Sequence, residues 1–227
     1  MCGRYTLTSG PKALNSIFGF DFSKFHQPRY NIGPLQDVSI LIRESERVPI
    51  RLTTMRWGLI PSWTRDRQSK GHINARCETL SEKPSFRDSF AKRRALVPAD
   101  GFIEWGKESS KKQPYHIRFE DSGVFAFAGL WDEHVGADGK LCKTFTIVTT
   151  GASDNLKDLH HRMPVIVAAD DYQDWLSGKA DFDEIFAAEP NRELIYIPVN
   201  PKINSVSEDG PHCLEPYEPP QMSLGFL

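Results

Sequence analysis

Five absences narrow the class of this 227-residue chain before any motif is considered. No apolar run approaches the roughly 18 residues that read as a membrane-spanning helix, and the start of the chain has no basic segment leading into an apolar one. Neither a membrane anchor nor a secretory leader is expected. The four cysteines, Cys2, Cys77, Cys142 and Cys213, include no Cys-x-x-Cys pair, which argues against zinc-ribbon and thioredoxin chemistry and for a reducing compartment. Cysteines and carboxylates at metal-ligand spacing are missing as well, so neither a metal nor a cofactor is expected. A strong charge of one sign is also lacking. The net charge is −2, whereas a protein that coats long duplex DNA is usually basic. A local basic cleft remains compatible, because its field depends on where the charges sit. A soluble intracellular protein is the expectation.

What is present is ordinary for a globular chain: 39% hydrophobic and 26% charged residues, enough for one large domain or two small ones with a substantial core. Stretches rich in β-branched and aromatic residues at 38–42, 50–59, 95–105, 114–120, 124–131, 144–150, 163–168 and 194–199 predict strands, separated by Gly, Asp and Ser. Helical patterns are fewer. They lie at PKALNSIF near the start and at 85–94, 170–178 and 181–188, the last two opening on aspartates suited to capping. Many strands without strand–helix alternation predict a mainly antiparallel α+β domain. The domain is expected over 1–207, followed by a Pro-rich, aperiodic tail over 208–227.

Several polar residues break the strand pattern. Asn74, Arg76 and Glu78 cluster in GHINARCET, where turn formation or solvation is the ordinary reading. Glu104 stands between Ile103 and Trp105 in GFIEW. It is either an outward residue of an alternating strand or a carboxylate in a low-dielectric spot, where its proton affinity would rise. His160, His161 and Arg162 precede the strand at 163–168. Adjacent histidines on a strand point opposite ways and make poor joint ligands, so one of them facing a cleft as a proton carrier is the better functional reading. Trp57 reads as core, and Trp63, beside polar TRDRQ, as exposed.

The stretches MCGRY, RYNIGP, RWGLIPSW, INARCET, ALVPADGFIEW and LHHRMPVIV resemble, in order and spacing, the SOS response-associated peptidase (SRAP) family. The resemblance runs from Cys2 to about Asn204. It implies a single α+β domain built around a β-barrel-like core. It also implies a protein that binds abasic sites in single-stranded DNA and cross-links to them, cytoplasmic and, in a bacterium, nucleoid-associated. By the same resemblance, Cys2, Asn74, Glu104 and His160 match the active-site positions, and Arg4, Arg76 and Arg162 match phosphate contacts. Pro34 with Trp63 matches a wedge between bases. Lys83, and Arg87 more loosely, are further candidates for the DNA groove.

The chemistry expected of Cys2 follows from its position. Removal of Met1 would leave an α-amine and a thiol on neighbouring carbons. The amine, with a pKa near 8, is partly neutral at pH 7 and would form a Schiff base with the ring-opened sugar aldehyde. The adjacent thiol would close on the imine carbon intramolecularly, giving a thiazolidine. Two alternatives stand beside this one: an N-terminal-nucleophile peptidase acting through Cys2, and a non-covalent reader of modified cytosine in which Cys2 is structural. At the other end, Gln221, Met222, Leu224 and Phe226 resemble the short peptide by which bacterial repair proteins dock on the replication sliding clamp.

Overall fold

The computed structural model describes residues 2–24, 26–45, 47–65, 69–106, 112–136, 138–187, 190 and 192–218. The strands are β1 (Tyr5–Leu7), β2 (Arg29–Ile32), β3 (Asp37–Ile42), β4 (Arg51–Trp57), β5 (Asn74–Arg76), β6 (Arg94–Ala99), β7 (Gly101–Trp105), β8 (Pro114–Phe119), β9 (Phe125–Val135), β10 (Leu141–Gly151), β11 (Arg162–Pro164), β12 (Ile166–Val167) and β13 (Leu194–Pro198). The α-helices are α1 (Pro11–Phe18), α2 (Arg87–Lys92), α3 (Tyr172–Ser177) and α4 (Phe182–Ala187). None of the described helices is long and apolar enough to cross a membrane.

Five strands close on themselves. β10 pairs β4 in parallel, β4 pairs β3, β3 pairs β6, β6 pairs β9, and β9 returns to β10, all the latter antiparallel. β5, β11 and β12 extend this ring. A second sheet, ordered β13-β8-β7-β1-β2, lies beside it. This is an α+β, barrel-like fold with a few peripheral helices, as the resemblance implies.

The core is built from the strands' inward faces. Trp57, Phe102, Phe127 and Phe145 are fully buried, and each such side chain contributes about 1.5–3 kcal/mol by leaving water. Trp57 is the core residue that the sequence suggests. Its ring stacks on Phe145 at 6.4 Å, and its Nε1 donates to Ile73 O at 2.8 Å, which fixes the chain just before Asn74. Gly58 ends β4 at φ 134, with Lys70 O crowding where a Cβ would be, so glycine alone permits the crossing of the loop's two limbs.

Local expectations fare unevenly. The strand expected over 95–105 is two strands, because Asp100 turns the chain from the barrel (β6) into the second sheet (β7). The run at 163–168 is likewise split into β11 and β12. Of the two aspartate caps, Asp181 accepts from Asp183 N and Glu184 N at 3.1 and 3.2 Å, whereas Asp171 makes no side-chain cap.

Residues 208–218 are not free tail. Asp209 accepts from Tyr30 N and Asn31 N at 2.6 and 2.9 Å and pairs with Arg29, and Tyr217 N donates to Pro198 O. Cys213 joins Ile103, Val199 and Ile203 in a small cluster that covers the outer face of the second sheet. Polar anchoring explains why a Pro-rich, aperiodic stretch docks: its side chains supply what a periodic pattern would not reveal. Gln221, Met222, Leu224 and Phe226 lie outside the described residues.

Candidate active site

β1 brings Cys2 to the second sheet. The ladder to β7 continues past the strand's formal start, with Ile103 N donating to Arg4 O at 3.0 Å. Cys2 is fully buried, and its thiol donates to Arg4 O at 3.6 Å. Asn74, at the start of β5, donates from Nδ2 to Cys2 O at 2.8 Å. That bond orients the amide, and it leaves Oδ1 buried without a partner among the described residues. β5 is carried by β10, with Asn74 opposite Ile147.

Glu104 belongs to β7, opposite Tyr115, and is 3% exposed. Burial holds its carboxyl above the usual carboxylate range, with the charge of His161 working the other way. Burial also pushes the Cys2 thiol up, and the Glu104 charge adds to that. The two groups therefore share a field: whichever loses its proton makes it harder for the other to lose its own.

His160 is half-buried, and its Nδ1 lies 2.9 Å from Arg162 O and 3.0 Å from Arg162 N. The backbone of Arg162 thus engages Nδ1. His161 stacks on it, ring centroids 4.5 Å apart at 27°. His161 is not among the positions that the resemblance assigns to the site. Here the pair precedes β11, where no strand geometry applies.

The cationic candidates differ in how far they are occupied. Arg76 is exposed, two residues from Asn74 on β5 and so on the same face, and makes no ion pair among the described residues. Arg162 is engaged. Its Nη1 pairs with Glu78 Oε1, its Nη2 donates to Glu78 Oε2 at 3.0 Å and to Thr149 O at 2.6 Å, and its side chain is 11% exposed. That pairing holds the Glu78 carboxyl down to about 2. Glu78 is visible in the sequence beside Asn74 and Arg76, but its partner is 84 residues away and leaves no local signal. Arg4 lies against Gly33, next to Pro34, and donates from Nη1 to Gly3 O at 3.0 Å. Lys83 is exposed near His72, whose ring is pushed down by burial and then by the lysine's charge. Arg87 pairs with Asp88 at 3.6 Å.

Trp63 is 59% exposed, on the loop that leaves the barrel at Gly58. Pro34 is half-buried; the next residue, Leu35, is held at φ 68 and is 46% exposed. Leu35 N donates to Trp57 O at 2.8 Å, which ties this turn to the root of the Trp63 loop.

The family model described as SOS response associated peptidase (SRAP) matches residues 1–206. Abasic site processing protein YoaM of Bacillus subtilis is 42% identical over 188 residues, covering 79% of this chain and 80% of that protein. Abasic site processing protein HMCES of Gallus gallus is 34% identical, covering 85% of this chain and 67% of its own length. In fold, a crystal structure of a protein from Bacteroides thetaiotaomicron superposes with a TM-score of 0.80 at 24% identity, covering 96% of this chain and all of that one.

Proposed function

The chain belongs to the SOS response associated peptidase family, and from that premise we propose that it binds abasic sites in single-stranded DNA and traps them covalently through Cys2 once Met1 is removed. One observation carries this reading: the backbone of Cys2 is held by Asn74 while its buried thiol lies in the field of Glu104.

The free α-amine adds to the C1′ aldehyde of the ring-opened sugar, and the carbinolamine loses one water to give the imine. The thiol then adds across the C=N bond, sulfur to carbon and proton to nitrogen. One water leaves overall, and no oxidant or reductant takes part. Closure is intramolecular and therefore fast relative to hydrolysis by a second encounter. Glu104, its proton affinity raised by burial, gives a proton to the departing hydroxyl and takes the one from sulfur. The unpartnered Asn74 Oδ1 accepts from the amine or the carbinolamine hydroxyl. His160 serves the sugar oxygen. Arg4, Arg76, Lys83 and Arg162 supply phosphate contacts, and Trp63 with Pro34 stacks on the flanking bases.

The test mixes the full chain with an abasic single-stranded oligonucleotide and reads denaturing gels and intact mass. The processed protein gives an adduct one water lighter than the sum of its parts. Cys2→Ala and a form that retains Met1 give none. A stable adduct from either of these would overturn the mechanism.

A further inference from the structure

We propose that Asp132 and Thr144 are positioning residues for Trp63: together they hold its loop in one conformation and present the ring to solvent, ready to receive a base. The inference rests on the stacking role proposed for Trp63 and names the groups that prepare it.

Trp63 is 59% exposed, yet the backbone that carries it is held on both sides. Gly58 N donates to Phe145 O at 2.8 Å and Leu59 N to His72 O at 3.0 Å. Ile60 N donates to Thr144 Oγ1 and Ser62 N to Asp132 Oδ2, each at 2.9 Å. Thr64 N closes a turn on Pro61 O at 2.9 Å, and Pro61 has no N–H of its own. From Gly58 to Thr64, every backbone N–H on either side of Trp63 is thus engaged.

The sheet places the two side-chain acceptors. Asp132 on β9 and Thr144 on β10 stand directly opposite each other in the antiparallel ladder, so their side chains leave the same face as neighbours. The amides of Ile60 and Ser62, two residues apart, both turn to this pair. Thr144 is 1% and Asp132 4% exposed. The bond to Ile60 N is buried, so that amide has no water to turn to if its acceptor is removed.

Asp132 is itself locked. Its Oδ1 accepts from Glu133 N at 2.8 Å and pairs with Arg93 at 2.9 Å, which leaves Oδ2 for the loop. Arg93 O accepts from Trp131 N at 2.9 Å, next to Asp132. The Trp63 loop is thereby joined to β9 and to the residue that follows α2. Ordering one group of an interface at the moment of binding costs roughly twofold to tenfold in affinity. Here that ordering is done when the chain folds.

The test has an arm without DNA and an arm with it. The full chain is produced with 5-fluorotryptophan, and the Trp63 signal is assigned by Trp63→Phe. Thr144→Val keeps the shape and removes the acceptor of Ile60 N. Asp132→Asn keeps one oxygen for Arg93 and Glu133 N and turns an N–H against Ser62 N. In both, the Trp63 fluorine signal should narrow and move toward that of free 5-fluorotryptophan, while the buried Trp57 and Trp175 keep theirs. Thr144→Ser, which retains the hydroxyl, should leave the Trp63 signal in place. On the unaltered protein, the Ile60 and Ser62 amides should be protected from hydrogen exchange. Exchange of both at the rate of free loop amides overturns the proposal without any variant.

The second arm reads fluorescence anisotropy with a labelled single strand that carries a tetrahydrofuran abasic analogue, which keeps the gap and has no aldehyde. Trp63→Ala should weaken binding about fivefold or more, and Thr144→Val roughly twofold to tenfold. In the Trp63→Ala background, Thr144→Val should add nothing, because its effect runs through the ring. An unchanged Trp63 signal in folded Thr144→Val and Asp132→Asn proteins overturns the proposal. An equal loss of affinity from Thr144→Val with and without Trp63 does so too, since that is what general loosening of the barrel would give. Should Trp63→Ala bind like the parent protein, the stacking role itself fails, whereas the fluorine signal still decides whether the pair holds the ring.

Discussion

Asp100 and Glu104 are two buried carboxylates four residues apart, and their surroundings differ in kind. Asp100, at the corner between β6 and β7, accepts from Thr6 Oγ1 at 2.7 Å, from Thr8 N and Oγ1 at 2.6 and 2.8 Å, and from Ser9 N and Oγ at 2.8 and 3.1 Å. Four of these donors converge on Oδ2 and one on Oδ1, and all lie on the N-terminal strand and the turn after it. Glu104 points to the other face, as the register shows: it lies opposite Tyr115, whereas His116, which contacts Thr6, lies opposite Ile103. Around Glu104 burial dominates and the carboxyl is held up. A carboxylate wrapped in donors is a latch; one whose proton affinity is raised by desolvation is available for proton transfer. The latch also serves the site, because it fixes the strand that delivers Cys2.

The largest expected effect breaks this contrast at Glu104. Glu104→Gln should slow adduct formation by about 10²–10⁴-fold while leaving the melting temperature unchanged or raised, since it removes a buried ionisable group. Asp100→Asn should do the reverse. It places an amide against donors and should lower stability by about 3 kcal/mol, with a smaller effect on the rate of the protein that remains folded. Single-turnover gels and thermal melts on both variants measure this. A slow Asp100→Asn protein of normal stability would erase the distinction.

A mid-sized effect concerns pH. Burial pushes His116 from its ordinary 6.5 to about 4. The neutral ring is what the fold accepts, and the unfolded chain takes up the proton first. Stability from this residue is therefore complete above pH 6.5 and is lost as pH falls from 6.5 toward 4, by up to about 3 kcal/mol. Denaturant titrations between pH 7 and 4 should show the decline, and His116→Gln should flatten it. Gly101→Ala should mimic protonation by steric means, because a Cβ there would overlap His116 Nε2. Parallel pH curves for the native protein and His116→Gln would exclude His116 as the source.

These residues also mark how far the sequence could be read. The long barrel strands were legible because alternation and β-branched content persist over many residues; β9 and β10 run for 11 each. Apart from Glu104 on β7, the candidate site is carried by β1, β5 and β11 or the residues just before them, and these strands are three residues apiece, too short for any period to emerge. Asn74 and Glu104 stand out as polar breaks in the strand pattern, their roles and that of Cys2 come from the family resemblance, and the structure brings Asn74 and Glu104 to Cys2. The closure of the barrel through parallel β4 and β10 was not legible, because it joins segments about 90 residues apart. The Arg162–Glu78 pair was hidden for the same reason.

That pair extends the comparison to a third carboxylate, at the surface, where the smallest effect is expected. Glu78 is half-exposed and bonds Arg162 through both oxygens. If Arg162 contacts a backbone phosphate, Glu78 competes with it. Glu78→Gln should change stability by less than about 1 kcal/mol, as exposed ion pairs do. It should also tighten binding of single-stranded DNA about threefold to tenfold at low salt, the range expected for removing one like charge from beside a phosphate. With Arg162 freed, the slope of log affinity against log salt should steepen by about 0.7, one more single-strand phosphate contact. Arg162→Lys should lose the two-pronged hold on Glu78 and keep the charge, so its salt slope should move the same way. Fluorescence anisotropy with a labelled oligonucleotide across a salt series reads both. An affinity that falls in Glu78→Gln would show that Glu78 orients Arg162 for the phosphate rather than withholding it, and the surface carboxylate would then belong with the latch at Asp100.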